Sequence, residues 1–221
     1  NARTNMAASY FAAHAEEWDF LRSLHVADSE VEAKIAQILH SAPLGRVLDV
    51  GTGTGRIVEL FAESASHFVA VDNSPEMLRL ARAKIANFSA DIASKVEIKL
   101  GDFNMLPVGD GEFDTVIFHQ VLHYAQDPEA VIAEAIRTVA DDGRLVIVDF
   151  AAHDHEELRT VHAHARLGFT DEFMRNAFSA HGLQMVHQAA LESGALIVKV
   201  WMGQKLSFAT PRPKDNLRIV A

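Results

Sequence analysis

Around Asp49 the chain runs from an apolar segment, Val47, Leu48 and Val50, into three alternating glycines, Gly51, Gly53 and Gly55. Glycines at this spacing let the backbone turn tightly and approach a ligand closely, because no Cβ stands in the way. The turn joins a predicted buried strand to a helix N-terminus, whose free N–H groups favour an acceptor or anionic group. Asp72 follows 23 positions after Asp49, at the end of the next apolar run, where a carboxylate suits a ribose diol. The spacing is G-x-G-x-G with Thr52 and Thr54 between the glycines, so the dinucleotide fingerprint G-x-G-x-x-G is not met. No Gly-Lys-Ser/Thr follows, so the turn is not a Walker-type phosphate loop. Asp49 is an awkward neighbour for a pyrophosphate but suits a hydrogen-donating or cationic group, such as an amino-acid ammonium. An adenosyl amino acid fits this turn better than a dinucleotide or a triphosphate. Taken alone, the glycines also fit a tight turn that needs positive φ and binds nothing.

Histidines are the other chemical resource, twelve in all. His119 is expected where the fourth predicted strand ends, close enough to touch a ligand or act as a base. His123, four residues on, would share a helical face with it; packing or capping is its expected role, and a structural one that of Tyr124. His153, Asp154, His155, His162 and His164 invite a metal, and a continuous helix would align His155 with His162. Metal sites use tighter sets such as H-E-x-x-H, and none occurs; no metal is assigned, and a polar pocket entrance is the preferred reading. Arg159 and Arg166 suit an anionic ligand there, or simply a solvated helix face.

Composition narrows the classes. The 221 residues carry a formal charge of −10 and 49% hydrophobic residues, enough for one sizeable core. The acidic balance argues against a nucleic-acid footprint on this segment. With no cysteine, thiolate, disulfide and thiol-held arsenic chemistry are excluded. No apolar run reaches the roughly 20 residues of a membrane helix, and no export leader is visible, so a cytoplasmic location is expected. The first residue is Asn1, which raises the expectation that the natural polypeptide was trimmed or cut from something longer.

Three zones must position these groups. Residues 1–42 read as two helices; Tyr10, His14, Trp18 and Leu21 share one face of the first, and Asp28 or Ser29 caps the second. This zone is expected to be a cap or lid, with Tyr10 and Trp18 folding over a ligand or packing on the core. Apolar runs at Val47–Val50, Phe68–Val71, Val96–Leu100, Phe113–Phe118 and Arg144–Val148 then alternate with helical patterns at Arg56–Ser64, Pro75–Phe88 and Pro128–Ala140. That alternation predicts a parallel sheet with helices on both faces. Thr170 caps a further helix ended by Gly182, and Leu183–Leu191 with Ala195–Met202 reads as a closing hairpin. The main domain is expected over 43–204 and a tail over 205–221.

With these residues in place, the sequence resembles the class I S-adenosylmethionine-dependent methyltransferases. Val47–Gly55 looks like their first motif, and Asp72 matches their ribose-binding acid. Gly101, Asp102 and Phe103 resemble the segment after the third strand, where an acid meets the adenine amino group and the next side chain flanks the ring. Phe113–His123 resembles the fourth-strand motif lining the methyl-donor pocket, and Asp142–Val148 the turn into the fifth strand. The resemblance implies a Rossmann-like, doubly wound α/β fold with a mostly parallel seven-stranded sheet and an antiparallel last strand. It also implies S-adenosylmethionine or S-adenosylhomocysteine as ligand, held by Asp49, Gly51, Thr52, Gly53, Gly55, Asp72, Asn73, Met77, Gly101, Asp102, Phe103, His119 and Gln120, with Tyr10 and Trp18 as lid and His119 as the candidate catalytic residue.

A narrower likeness, carried by residues 11–19, 119–124 and 162–169, is to a bacterial subgroup in which such a domain follows an ArsR-type winged helix. Some members sense S-adenosylhomocysteine. Two functions are therefore expected: methyl transfer to a small-molecule acceptor, or ligand sensing without turnover. Expected partners are that acceptor and at most a second copy in a homodimer, with neither nucleic acid nor membrane bound by this segment.

Overall fold

The computed structural model describes residues 13–15, 28–39, 42–192 and 196–206. Seven strands form one sheet in the order β3-β2-β1-β4-β5-β7-β6. They are β1 (Arg46–Val50), β2 (His67–Asp72), β3 (Val96–Leu100), β4 (Phe113–His119), β5 (Val139–Phe150), β6 (Leu183–Leu191) and β7 (Val198–Lys205). The first five pair in parallel. β7 inserts antiparallel between β5 and β6, as the hairpin pattern predicts. β1 is buried from Val47 to Val50, the continuous apolar run of a strand covered on both faces. Its register pairs Val50 with Val71 and with Phe118, while Asp72 pairs with Leu100 and His119 with Val148. Asp72, His119 and the end of β5 thus share one edge of the sheet, where ligands of open α/β sheets bind.

Helices cover both faces: α1 (Asp28–Leu39), α2 (Arg56–Phe61), α3 (Pro75–Ile85), α4 (Ala90–Ala93), α5 (Pro128–Thr138), α6 (Glu157–Val161) and α7 (Asp171–Ala180). α5 and α7 cover Leu48, Val116, Phe118 and Ile147; α1 and α2 cover Val47, Ile117, Val146 and Val148. Each such side chain contributes about 1.5–3 kcal/mol on burial. Side-chain oxygens of Ser74, Asp127 and Thr170 cap α3, α5 and α7, satisfying N–H groups that a helix start leaves open.

Arg144 ties the sheet to α1. Its guanidinium, 8% exposed, donates to Thr115 Oγ1 at 3.1 Å and to the carbonyls of Leu39, Ala42 and Pro43 at 3.1, 3.2 and 3.1 Å. Those carbonyls stand at the end of α1, where a cation suits the helix dipole. Burial pushes the Arg144 pKa down.

Several boundaries differ from the sequence expectations. β5 begins at Val139, so the helix predicted to Ala140 stops at Thr138; β-branched Val139 pairs with Phe113 instead. The helix predicted to Phe88 ends at Ile85, and Ser89 restarts a single turn as α4. β7 runs through Lys205, the first residue assigned to the tail. Of the predicted first helix, Tyr10, Trp18 and Leu21 lie outside the described residues. Within the described residues no helix is long and apolar enough to cross a membrane.

Candidate functional site

Four acidic residues stand at or just beyond the carboxyl ends of parallel strands: Asp49 next to the end of β1, Asp72 ending β2, Asp102 two residues beyond β3 and Asp149 next to the end of β5. Asp49 is 1% exposed, and the glycine turn follows it. Four of the turn's N–H groups, those of Gly51, Thr52, Gly53 and Gly55, are engaged by the protein itself. Gly51 and Thr52 donate to the Val71 carbonyl at 2.8 and 3.0 Å, and Gly55 to the Thr52 carbonyl at 2.9 Å. Gly53 donates to Asp72 Oδ2 at 2.8 Å.

Donors already committed in this way offer little to a phosphate. What the turn presents instead is acceptor capacity: the Asp49 carboxylate, the second lone pairs of Asp72, and the Thr52 hydroxyl. Thr52 is 7% exposed and its Oγ1 is buried with no hydrogen-bond partner among the described residues, an arrangement that a native fold seldom leaves without a reason. These groups fit a ligand rich in N–H and O–H, such as the ammonium and ribose of S-adenosylmethionine, and fit a pyrophosphate poorly.

Two of the glycines also make room for the protein's own packing. A Cβ on Gly51 would stand 2.4 Å from Val121 Cγ2, so that glycine makes room for the loop after β4. A Cβ on Gly55 would meet Ala81 at 3.1 Å, close packing of the turn on α3. Both glycines have positive φ, the conformation glycine adopts without penalty.

Asp72 organises its own loop. Its Oδ1 accepts from Ser74 N at 2.9 Å while Oδ2 holds Gly53. Burial, the larger effect, raises its pKa; the N–H groups of Ser74, Gly53 and Asn73 pull the other way. Asn73 is exposed beside it, whereas Met77 is 2% exposed and faces inward from α3. Gly101 N donates to the Asp72 carbonyl at 3.0 Å, joining the second and third motifs. Asp102 Oδ1 accepts from Asn104 N at 2.8 Å, and Phe103 is half-buried against the core. Leu100, the register partner of Asp72, and Met105, bridged to Asp102, are 58% and 78% exposed.

His119 ends β4 and is 8% exposed, as is Gln120. Gln120 has φ 54°, left-handed backbone that costs a non-glycine residue of order 1 kcal/mol and concentrates at functional turns. Its N–H donates to the Val148 carbonyl at 2.7 Å. His123 does not share a helical face with His119, contrary to expectation: it sits on a single 3-10 turn, Leu122–Tyr124. There it meets Asp149, Nδ1 to Oδ1 at 2.8 Å, with both side chains buried. Sequence reading passed over Asp149, although an acid directly after the apolar β5 run repeats the pattern of Asp49 and Asp72.

The His-rich stretch is not one helix. α6 ends at Val161, so His155 and His162 are not aligned on it. Gly168, with φ 72°, returns the chain beside β5, where Phe169 N donates to the Phe150 carbonyl at 2.9 Å. This brings His164 to 4.1 Å from His123 and stacks it on Phe150 at 5.8 Å, centroid to centroid. Burial, then the neighbouring imidazoles of His155 and His123, hold His153 below its usual pKa; burial lowers His162. Among the described residues no three histidine, aspartate or glutamate side chains stand together as a metal set.

His119→Ala is expected to lower affinity for S-adenosylhomocysteine by about fivefold, the loss of roughly 1 kcal/mol of polar contact. Calorimetry beside a thermal melt checks it; a large fall in melting temperature with affinity intact would make His119 a packing residue only.

Residues 42–193 match the family described as "Methyltransferase domain". The chain is 30% identical over 194 residues to an uncharacterized 37.1 kDa protein in a Streptomyces fradiae transposon, covering 84% of this chain and 54% of that protein. It therefore spans about half of that relative. It is 35% identical over 161 residues to a phosphatidylethanolamine N-methyltransferase of Cereibacter sphaeroides, covering 69% of this chain and 76% of the relative. Its fold is similar to that of magnesium protoporphyrin IX methyltransferase from Synechocystis, solved with bound S-adenosylmethionine: TM-score 0.63, 20% identity, 80% of this chain and 78% of that one. Sheet order, carboxyl-edge acids and the family match agree: the chain belongs to the class I S-adenosylmethionine-dependent methyltransferase domain family.

Proposed function

We infer that this protein transfers a methyl group from S-adenosylmethionine to a small molecule. The observation that carries this reading is the set of acceptors at the carboxyl edge, Asp49, Thr52 and Asp72, around a turn in which the N–H groups of Gly51, Thr52, Gly53 and Gly55 are already engaged. Asp72 would take the ribose hydroxyls, Thr52 and Asp49 the amino-acid end, and Phe103 with Leu100 the adenine face; Gly51, Gly53 and Gly55 set the path of the turn. Asn73, Met77, Gly101, Asp102, His119 and Gln120 complete the proposed wall. Bound cofactor supplies an electrophilic methyl on sulfur, and the protein's task is to position a nucleophile in line with it and exclude water. Residues 1–42 are proposed as a helical cap, 43–204 as the transferase domain and 205–221 as a tail.

The test compares affinities for S-adenosylmethionine and S-adenosylhomocysteine by calorimetry and follows tritiated methyl transfer to pooled metabolite acceptors. Binding with product formation supports an enzyme. A marked preference for S-adenosylhomocysteine with no turnover would instead assign the chain to sensing, the role known among the ArsR-type regulators that segments 11–19, 119–124 and 162–169 resemble.

A further inference from the structure

His123 carries a polar atom that no described residue uses. The residue is 2% exposed, and its Nδ1 faces Asp149 Oδ1 at 2.8 Å. A carboxylate only accepts, so Nδ1 carries a proton, and in the neutral ring Nε2 keeps its lone pair. That Nε2 is buried with no hydrogen-bond partner among the described residues, which costs about 1–3 kcal/mol.

The fold does not need the ring to hold the loop. The His123 N–H already donates to Asp149 Oδ2 at 3.2 Å, and its carbonyl accepts from Ala165 and Arg166 at 3.0 and 2.9 Å. Asp149 is fully buried and also accepts from Phe150 N at 2.8 Å, so the carboxylate that orients the imidazole is itself rigidly held. The rings of Tyr124, His164 and Phe150 surround His123 at 4.1, 4.1 and 5.2 Å. The pair stands at the carboxyl ends of β4 and β5, four residues beyond His119.

We propose that His123 Nε2, oriented by Asp149, is the general base of this transferase, and that the acceptor is a neutral, weakly acidic hydroxyl of the phenol or enol class lying among these aromatic rings. The proposal rests on the methyl-transfer reading above. As the acceptor oxygen forms its bond to the methyl carbon, the carbon–sulfur bond breaks and its electron pair stays on sulfur. The hydroxyl proton passes to Nε2, the imidazolium is stabilised by the Asp149 carboxylate, and the proton later leaves to solvent. An acceptor that arrives protonated needs such a base, and a weak acid within reach of an imidazole gains most from one. An anionic acceptor would not need it.

The test uses the full chain with ¹⁵N-labelled histidine, as wild type, His123→Asn and Asp149→Asn, saturated with S-adenosylhomocysteine. In His123→Asn the amide nitrogen takes about the place of Nδ1, so the contact to Asp149 persists while the base is lost. Ring-nitrogen shifts are read with and without catechol as the phenol probe, and methyl transfer from tritiated S-adenosylmethionine to catechol is measured.

The expected result is a protonated Nδ1 and bare Nε2 on His123, a tautomer that loosens in Asp149→Asn. Catechol should perturb the ring signals. His123→Asn should bind S-adenosylhomocysteine within about threefold of wild type and transfer methyl at least about 100-fold more slowly. Ligand binding with the opposite tautomer, with no response to catechol, or with wild-type transfer by His123→Asn would overturn the dyad and leave the cofactor reading standing. Absence of S-adenosylhomocysteine binding by wild type would overturn both.

Discussion

Asp72→Ala is expected to bind S-adenosylhomocysteine about 5- to 150-fold more weakly than wild type, a loss of about 1–3 kcal/mol for hydrogen bonds to a charged group. Two effects add. In the proposed site the ribose loses its acceptor, and the N–H groups of Gly53 and Ser74 lose theirs, so the glycine turn relaxes.

The pH dependence has a definite sign. Burial raises the Asp72 pKa above the unfolded value of about 3.9. The folded state therefore favours the protonated carboxyl. Its contribution to stability is fully present below the unfolded pKa and is lost as pH rises through the raised folded value. Affinity should run the other way, falling as acid protonates Asp72 in the wild type, and Asp72→Ala should lose that acid limb. Calorimetry across pH reads both; an unchanged affinity would remove Asp72 from the site.

Gly168→Ala is expected to destabilise the fold by roughly 3 kcal/mol or more, among the larger effects of a single substitution. The residue has φ 72°, and a Cβ there would lie 2.1 Å from the Ala151 carbonyl oxygen and 2.8 Å from that of Phe150. These are backbone atoms, and no rotamer change relieves them. The strand end and the returning chain would have to part, breaking the bonds from Phe169 N to the Phe150 carbonyl and from Ala152 N to the Phe169 carbonyl. His164 would then leave His123. Chemical denaturation measures the loss; a change below about 1 kcal/mol would show that this junction yields more easily than its contacts imply.

Much of the architecture was legible because its signals are local. Strands β1 and β2, buried on both faces, read as short apolar runs, and Pro75, Pro128 and Thr170 marked helix starts that the caps of α3, α5 and α7 bear out. The closing hairpin needed only the three residues between two apolar runs. Boundaries failed where local preference and pairing compete: Val139 ends a helix in favour of a strand because Phe113 lies beside it.

The site was legible by residue type more than by role. Asp72 stood out by its place after an apolar run, yet that it holds the glycine turn through Gly53 depends on two loops 19 residues apart. Gly51 suggested a ligand, and its packing against Val121 could not be read from the spacing. His123 and Asp149 are separated by 26 positions, and no periodicity links them; only the parallel pairing of β4 with β5 sets one beside the other. His164 reaches them through the turn at Gly168, where the left-handed backbone is invisible to any pattern of apolar spacing.

The most direct test is a crystal of this chain soaked with S-adenosylhomocysteine. Density for one adenosyl ligand across the ends of β1, β2 and β3, its ribose oxygens within hydrogen-bond distance of Asp72 and its amino-acid end by Thr52, is the predicted result. A crevice that stays closed by side chains, or a ligand seated elsewhere, would contradict it.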